Sequence, residues 1–315
     1  MNLVSVPANP VPDDAVVGVL KTPDGLALRF ARWPPPPGRK GTVCLFQGRG
    51  DFIEKYFEVA RDLRARGFAV AALDWRGQGL SQRLLRDPYK GHVRRFADYL
   101  TDLETFMKDV VLPDCPPPYF ALGQDMGATV LIQSAARGHR WFERLVLSAP
   151  MIALAQSSLW GAGPAIARAL RLTGFGRLYV PGGGATPMAM APFPGNLMTS
   201  DPVRYARTAA VLEAEPALGI GAPTIGWVSA AFRTMAALRK PSYSARLHQP
   251  MLLIAAGYDQ FVSLAAIEDF ALNLRAGSHL IVPGAMHDLL MEQDHYRQLF
   301  WAAFDAFIPG TPLYG

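Results

Sequence analysis

Gly123-Gln124-Asp125-Met126-Gly127 places a carboxylate between two glycines, two residues before and two after it. An apolar run, Tyr119–Leu122, precedes this stretch and a run of helical period, Met126–Ala136, follows it, so it reads as strand, sharp turn and helix. Glycines at those offsets let neighbouring backbone close in on the turn and leave the central side chain projecting beside a helix N-terminus. The pattern is that of a nucleophile elbow, G-x-S-x-G, with Asp125 standing where the serine would be.

Two more residues complete a triad in the chain order nucleophile, acid, histidine. Asp259, in Ala256-Gly257-Tyr258-Asp259, follows the apolar run Met251–Ala255, and its carboxylate can accept an imidazole N–H and orient the ring. His287, in Pro283-Gly284-Ala285-Met286-His287-Asp288, follows the run His279–Val282. The carboxyl ends of parallel strands share one edge of a sheet, so three side chains at such ends can converge. Taken singly, His287 is a loop histidine and Asp259 a turn former; their order and their places at strand ends make them candidate catalytic residues. His139, His248, His279 and His295 have no comparable setting and read as structural or exposed. Acyl transfer also needs backbone N–H donors for an oxyanion, drawn from the residue after the nucleophile and from a loop after an early strand. Met126 and Arg49, the latter in Phe46-Gln47-Gly48-Arg49-Gly50, fill those positions.

The elements that must position these residues alternate along the chain. Short apolar runs at Thr42–Phe46, Ala69–Leu73, Tyr119–Leu122, Leu145–Leu147, Met251–Ala255 and His279–Val282 read as buried strands. Stretches of helical period at Glu54–Arg66, Phe96–Val111, Met126–Ala136, Ser263–Leu274 and Leu289–Phe307 lie between or after them. This is the order of an α/β fold with a mostly parallel central sheet and helices on both faces. A β-hairpin, Val16–Lys21 and Leu26–Trp33 around Thr22-Pro23-Asp24-Gly25, opens it. The interval 151–249 breaks the alternation: it holds helical pieces at Ser158–Leu172, Pro202–Glu213 and Ile225–Leu238, an irregular stretch with Gly182-Gly183-Gly184, and no buried strand. We expect a core of 1–150 and 250–315, with 151–249 inserted as a helical lid over the sheet edge. Apolar residues of the insertion, Leu159, Trp160, Met188, Met190, Phe193 and Trp227, are candidates for an acyl-chain channel, although at helical spacing such residues also serve as plain core.

Composition agrees with a folded enzyme: half of the 315 residues are hydrophobic and 18% are charged, far from the balance of a disordered chain. The net charge of +5 comes from Lys and Arg spread along the chain, which disfavours nucleic-acid binding and leaves room for contact with anionic lipid surfaces. Cys44 and Cys115 have no metal-like or disulfide spacing and read as free thiols. The opening residues lack the pattern of a secretory signal, and no apolar run reaches the ~18 residues of a membrane span, so a cytoplasmic location with peripheral membrane contact is expected. No metal or organic cofactor is suggested, and the oligomeric state is not readable.

Several stretches resemble the lysophospholipase and monoacylglycerol lipase branch of the α/β-hydrolases, across nearly the whole chain. They are Asp74-Trp75-Arg76-Gly77-Gln78-Gly79-Leu80-Ser81, Gly91-His92-Val93 with Phe96-Ala97-Asp98-Tyr99, Leu147-Ser148-Ala149-Pro150-Met151, and Leu197-Met198-Thr199-Ser200-Asp201-Pro202 with Arg204 and Tyr205. The resemblance implies a helical lid and a hydrolase acting on ester bonds of lipid-like small molecules. It also marks two departures: Asp125 replaces the serine nucleophile, and Gln47-Gly48 replaces the His-Gly pair of the oxyanion loop. A carboxylate attacking an ester carbonyl would give a mixed anhydride while its charge opposes the developing oxyanion, so ordinary ester hydrolysis should be severely impaired. The Gly-Gln-Asp stretch locally resembles epoxide hydrolases and haloalkane dehalogenases, in which an aspartate attacks saturated carbon. Met126 cannot supply the side-chain donor that helps hold a halide there, so an epoxide fits better. Three expectations stand: an ester hydrolase by descent with Asp125 tolerated or deactivating, an aspartate-nucleophile hydrolase of the epoxide type, and a noncatalytic lipid-binding protein.

Overall fold

The computed structural model describes residues 2–38, 40–155 and 162–309. One eight-stranded sheet runs through them, built from β1 (Val16–Lys21), β2 (Ala27–Trp33), β3 (Thr42–Phe46), β4 (Ala69–Leu73), β5 (Tyr119–Gln124), β6 (Arg144–Ser148), β7 (Met251–Ala256) and β8 (Gly277–Val282). Their order is β1-β2-β4-β3-β5-β6-β7-β8. The opening hairpin joins antiparallel through β2 and β4, and every later pair is parallel. The expected strands are all present, several of them a residue or two longer than their apolar runs.

Alternation along each central strand feeds two apolar layers. In β3, Cys44 and Phe46 enter one layer and Val43 and Leu45 the other, which is why such strands carry no polar face in sequence. The first layer is completed by α2 (Ala97–Phe106), α3 (Asp125–Ala136), α6 (Ile225–Leu238) and α7 (Leu264–Leu272), the second by α1 (Phe57–Ala65) and α8 (Asp294–Phe307). Between them in the chain lie α4 (Gly163–Leu172) and α5 (Pro202–Ala214).

Three expected helices are interrupted, each where local periodicity is silent. Glu54–Arg66 begins as a 3-10 turn, Ile53–Tyr56, before α1; its entry is fixed by the Ile53 N–H donating to Asp74 Oδ1 at 3.0 Å. Phe96–Val111 passes from α2 into a π-helical turn, Met107–Val111. Leu289–Phe307 splits into a 3-10 turn, Leu289–Met291, and α8. At the break, the Glu292 carboxylate accepts from the Gln293 N–H (3.0 Å) and from Ser200 Oγ (2.5 Å) across the molecule.

The interval between β6 and β7 adds no strand to the sheet among the described residues. Of its expected helices, Pro202–Glu213 and Ile225–Leu238 form as α5 and α6, while α4 starts at Gly163 and the beginning of Ser158–Leu172 lies outside the described residues. α6 sends Trp227, Ala230, Ala231, Met235 and Leu238 into the first apolar layer. α5 is tied to the core through Arg204, which meets Glu58 at 2.7 Å and Asp294 at 2.6 Å.

Candidate active site

Strand β5 delivers Asp125 to the sheet edge through a turn that only its glycines permit. A Cβ on Gly123 would stand 2.7 Å from Ala128 Cα, and one on Gly127 would stand 2.2 Å from the Phe46 carbonyl oxygen, so both positions exclude any side chain. Asp125 itself has φ +48°, a left-handed conformation that costs a non-glycine residue roughly 1–2 kcal/mol. The strain is borne because the Asp125 carbonyl accepts from the Met151 N–H (3.3 Å) and Thr129 Oγ1 (3.2 Å), which hold the turn from the following strand end and the helix.

β7 and β8 bring up the other two residues. Asp259 Oδ1 accepts the N–H groups of Phe261 (2.8 Å) and Val262 (3.0 Å), leaving Oδ2 for His287 Nδ1 at 2.8 Å. His287 is held from its backbone as well, its carbonyl accepting from Gln124 Nε2 at 3.2 Å, and the Phe261 ring packs 5.1 Å from the imidazole. With Nδ1 bound to Asp259, Nε2 is the ring nitrogen left for chemistry. The structure thus gathers Asp125, Asp259 and His287 at the carboxyl ends of β5, β7 and β8.

The expected oxyanion donors, Arg49 and Met126, lie where the loop after β3 meets the elbow. The Arg49 N–H donates to Asp125 Oδ2 at 3.2 Å, and the Met126 N–H also stabilises the charged form of that carboxylate. Burial nonetheless pushes the Asp125 carboxyl above its ordinary range, against the opposing pull of His287 and the two N–H groups. For His287 the balance runs the other way. Burial alone would lower it, but the bond to and charge of Asp259, with Asp125 and Asp288 adding, raise it to about 9. Burial thus works against the charged form of Asp125, while the Asp259 carboxylate favours the charged form of His287.

A cavity of about 730 Å³ opens above these groups. Asp125 and His287 stand in its wall with Trp227, Val228, Phe232 and Met235 from α6. Of the channel residues expected from sequence, Trp227 and Met188 line it. Phe193 does not: its ring packs against Tyr205 with centroids 5.4 Å apart, and Tyr205 faces the cavity in its place. Met190 is likewise outside the lining, and Trp160 and Leu159 fall outside the described residues.

Sequence reasoning missed a buried charged group on the same wall. Lys55 Nζ binds Asp51 Oδ1 at 2.6 Å and also Asp288 Oδ2, while Tyr56 Oη donates to Asp51 Oδ2 at 2.8 Å and the Gly48 N–H to the same oxygen at 3.1 Å. This lattice pins the loop that carries Arg49. Its signal in sequence was the i, i+4 spacing of Asp51 and Lys55 and the carboxylate directly after His287. Also missed was the seat of the Arg49 side chain. Nη2 donates to the Gly221 carbonyl at 2.7 Å, the guanidinium lies 5.3 Å from the Trp227 ring, and a Cβ on Gly91 would stand 2.2 Å from Nη2. Among the described residues no group of three or more His, Cys, Asp or Glu is placed to hold a metal ion, and no helix is long and apolar enough to cross a membrane.

Comparison with known proteins agrees with this architecture. A family model described as Serine aminopeptidase, S33 matches residues 37–294. The chain is 29% identical over 292 residues to Lysophospholipase L2 of Escherichia coli, covering 88% of this chain and 82% of that protein. It is 25% identical over 279 residues to a monoacylglycerol lipase of Mycolicibacterium smegmatis, covering 86% and 89%. Among solved structures, a soluble variant of monoglyceride lipase from Saccharomyces cerevisiae superposes with a TM-score of 0.73 at 18% identity over 93% of this chain and 94% of that one. A carboxyl esterase from Bacillus coagulans gives 0.74 at 19% over 94% and 98%. At those identities the two structures speak to the fold alone.

Proposed function

We propose, starting from a chain that belongs to the serine aminopeptidase S33 family of hydrolases and has the α/β-hydrolase fold, that its cavity receives a lipid-like ester carrying one acyl chain and that Asp125 holds ester turnover far below what a serine there would support. The relatives named lysophospholipase and monoacylglycerol lipase support the substrate class, as does an apolar cavity of a size that takes a small lipid. In this reading 151–249 is the lid, Trp227 and Met188 touch the acyl chain, Arg49 and Met126 supply the oxyanion donors, and neither metal nor cofactor is called for.

The observation that carries the reading is the 3.2 Å contact from the Arg49 N–H to Asp125 Oδ2. In a serine enzyme that donor would point at the carbonyl oxygen of the ester and strengthen as charge develops there. Here a resident carboxylate competes for it. His287, raised to about 9, is moreover protonated near neutrality and so cannot take a proton from an attacking group. A hydroxyl at 125 would remove the first obstacle and ease the second, since Asp125 is one of the charges that raise His287.

A second reading rests on the same contact. If the free oxygen of Asp125 attacks a saturated carbon of an epoxide, the C–O bond to the enzyme forms as the ring C–O bond breaks, and His287 in its charged form can give the alkoxide its proton. The resulting ester has Oδ2 as its carbonyl oxygen, already facing the Arg49 N–H. Loss of the Asp125 charge lets His287 fall toward its base form, ready to activate the water that opens the ester to a diol.

Purified parent, Asp125→Ser, Asp125→Ala and His287→Ala proteins assayed on short p-nitrophenyl esters, lysophosphatidylcholine and styrene oxide separate these readings. Asp125→Ser is expected to gain esterase activity over the parent. Styrene oxide turnover with a covalent adduct on Asp125, seen by peptide mass, would favour the second reading. An inert parent that still binds lysolipid would make it a binding protein. Ester hydrolysis by the parent that survives Asp125→Ala unchanged would remove Asp125 from the site.

A further inference from the structure

A second cleft, of about 510 Å³, lies away from Asp125, between the insertion and the core. On the core side it is walled by Arg76 and the loop carrying His92, Arg94 and Arg95; on the other by Arg171 of α4 and Arg177 of the turn after it. Two acids also line it, and both are already engaged. Asp24 pairs with Arg76, whose guanidinium also meets Asp102, and Asp98 pairs with Arg95 at 3.0 Å. Arg94, Arg171 and Arg177 have no carboxylate within salt-bridge distance among the described residues. The surplus positive charge is felt inside the cleft. His92 is pulled below its ordinary value, by burial first and then by the charges of Arg177 and Arg94.

Like charges gathered in a concave wall repel one another and concentrate anions at its mouth. The guanidinium fork matches phosphate oxygens two at a time, which makes several arginines around one cleft a fit for phosphate. We propose that this cleft binds a phosphate-bearing anion bridging the insertion and the core. It stands apart from the reading of the Asp125 site and does not depend on it. The bridge would reach the first cavity through one chain of contacts: His92 Nδ1 lies 2.8 Å from Thr224 Oγ1, Thr224 caps α6 by accepting the Trp227 N–H at 3.2 Å, and Trp227 lines the wall above Asp125.

The same chemistry has two sources, a soluble phosphate compound or the headgroup of an anionic lipid. Leu172 and Phe175, 70% and 48% exposed beside Arg171 and Arg177 in the chain, would give a bilayer apolar purchase. The test uses the full chain at constant ionic strength. Inorganic phosphate and glycerol 3-phosphate are titrated by calorimetry, and by NMR of the His92 ring, whose pKa should rise as an anion offsets Arg94 and Arg177. Vesicles of phosphatidylcholine with and without phosphatidylglycerol form the second arm. The Arg94→Gln/Arg177→Gln double variant removes two exposed side chains; Arg275→Gln serves as a control for a surface cation elsewhere.

Binding in the low-millimolar range or tighter, weakened about tenfold or more in the double variant and unchanged in the control, is the expected result. Binding of the soluble phosphates identifies a small-molecule site. Binding only to phosphatidylglycerol vesicles, lost in the double variant, identifies a headgroup. Absence of both, or equal binding by parent and double variant, overturns the proposal, and so does a soluble phosphate that binds yet leaves the His92 titration unmoved.

Discussion

Arg29, Glu54 and Asp74 have no accessible side-chain surface, whereas Asp259 and His287 are nearly as buried but share their charge with Asp125 at the edge of a cavity. In the first trio every interaction is answered. Arg29 meets both oxygens of Glu54 at 2.7 Å and Oδ2 of Asp74 at 2.7 Å, and Asp74 also accepts the N–H groups of Ile53 and Leu80. Around Asp125 the accounting is incomplete. Both side-chain polar atoms of Gln47, Oε1 of Gln124, Nε of Arg49 and Oδ1 of Asp288 are buried without a protein partner. The difference separates a network answered within the chain from one whose polar atoms are not all met by protein groups. A buried unmet polar group costs about 1–3 kcal/mol, so several together in one place mark function more than stability.

The largest expected effect breaks the comparison on its functional side. Asp125→Ser should raise p-nitrophenyl ester hydrolysis by about a hundredfold or more over the parent, because it restores a nucleophile that the His287–Asp259 pair can deprotonate. Adding His287→Ala should return the rate to the parent's level. A double variant as fast as Asp125→Ser would mean that His287 is not the base.

On the structural side the expected sign is reversed. Arg29→Met leaves two carboxylates buried without their cation and should destabilise the chain by about 3–5 kcal/mol in urea unfolding. Asp125→Asn removes a buried charge while keeping its shape, and should leave stability within about 1 kcal/mol of the parent. Equal losses from both substitutions would erase the distinction between the clusters.

How far each cluster could be read in the sequence follows from the range of its contacts. Asp125, Asp259 and His287 were legible because each sits at the end of an apolar run in a fixed chain order, and the central strands were legible because β3 to β7 are apolar on both faces. The Arg29 trio was not, since residues 29, 54 and 74 meet only after the hairpin folds onto β4. Helix breaks escaped for the same reason: the interruption at Glu292 is made by Ser200, far along the chain. Phe193 was misread because an aromatic in an irregular stretch gives no period to say which way it faces; Tyr205 on α5 decides that.

Titration sharpens the comparison further. The His287 imidazole is raised from its ordinary 6.5 to about 9 in the folded chain. Its contribution to stability is therefore fully present below pH ~6.5 and is lost as pH rises toward and through 9, with a slope of at most about 1.4 kcal/mol for each step of one in pH. In Asp125→Asn one of the charges raising His287 is gone, so unfolding free energies measured between pH 6.5 and 9.5 should decline less steeply than in the parent. Parallel curves would show that Asp125 and His287 do not feel each other.

The smallest expected effect asks how far the functional cluster extends into the insertion. Trp227 lines the cavity, donates Nε1–H to Tyr99 Oη at 3.1 Å and lies beside the Arg49 guanidinium, so its ring links α6 to the loop that carries Arg49. Trp227→Phe keeps an aromatic wall but drops that hydrogen bond and some contact area. Lysolipid affinity should fall by a few fold, in line with the ~1 kcal/mol typical of one modest interaction. Phe193→Ala should leave the same affinity unchanged, because Tyr205 stands between that ring and the cavity. If Phe193→Ala weakens lysolipid binding as much as Trp227→Phe does, the ligand reaches past Tyr205, and the line drawn between the site and its scaffold must move outward into the insertion.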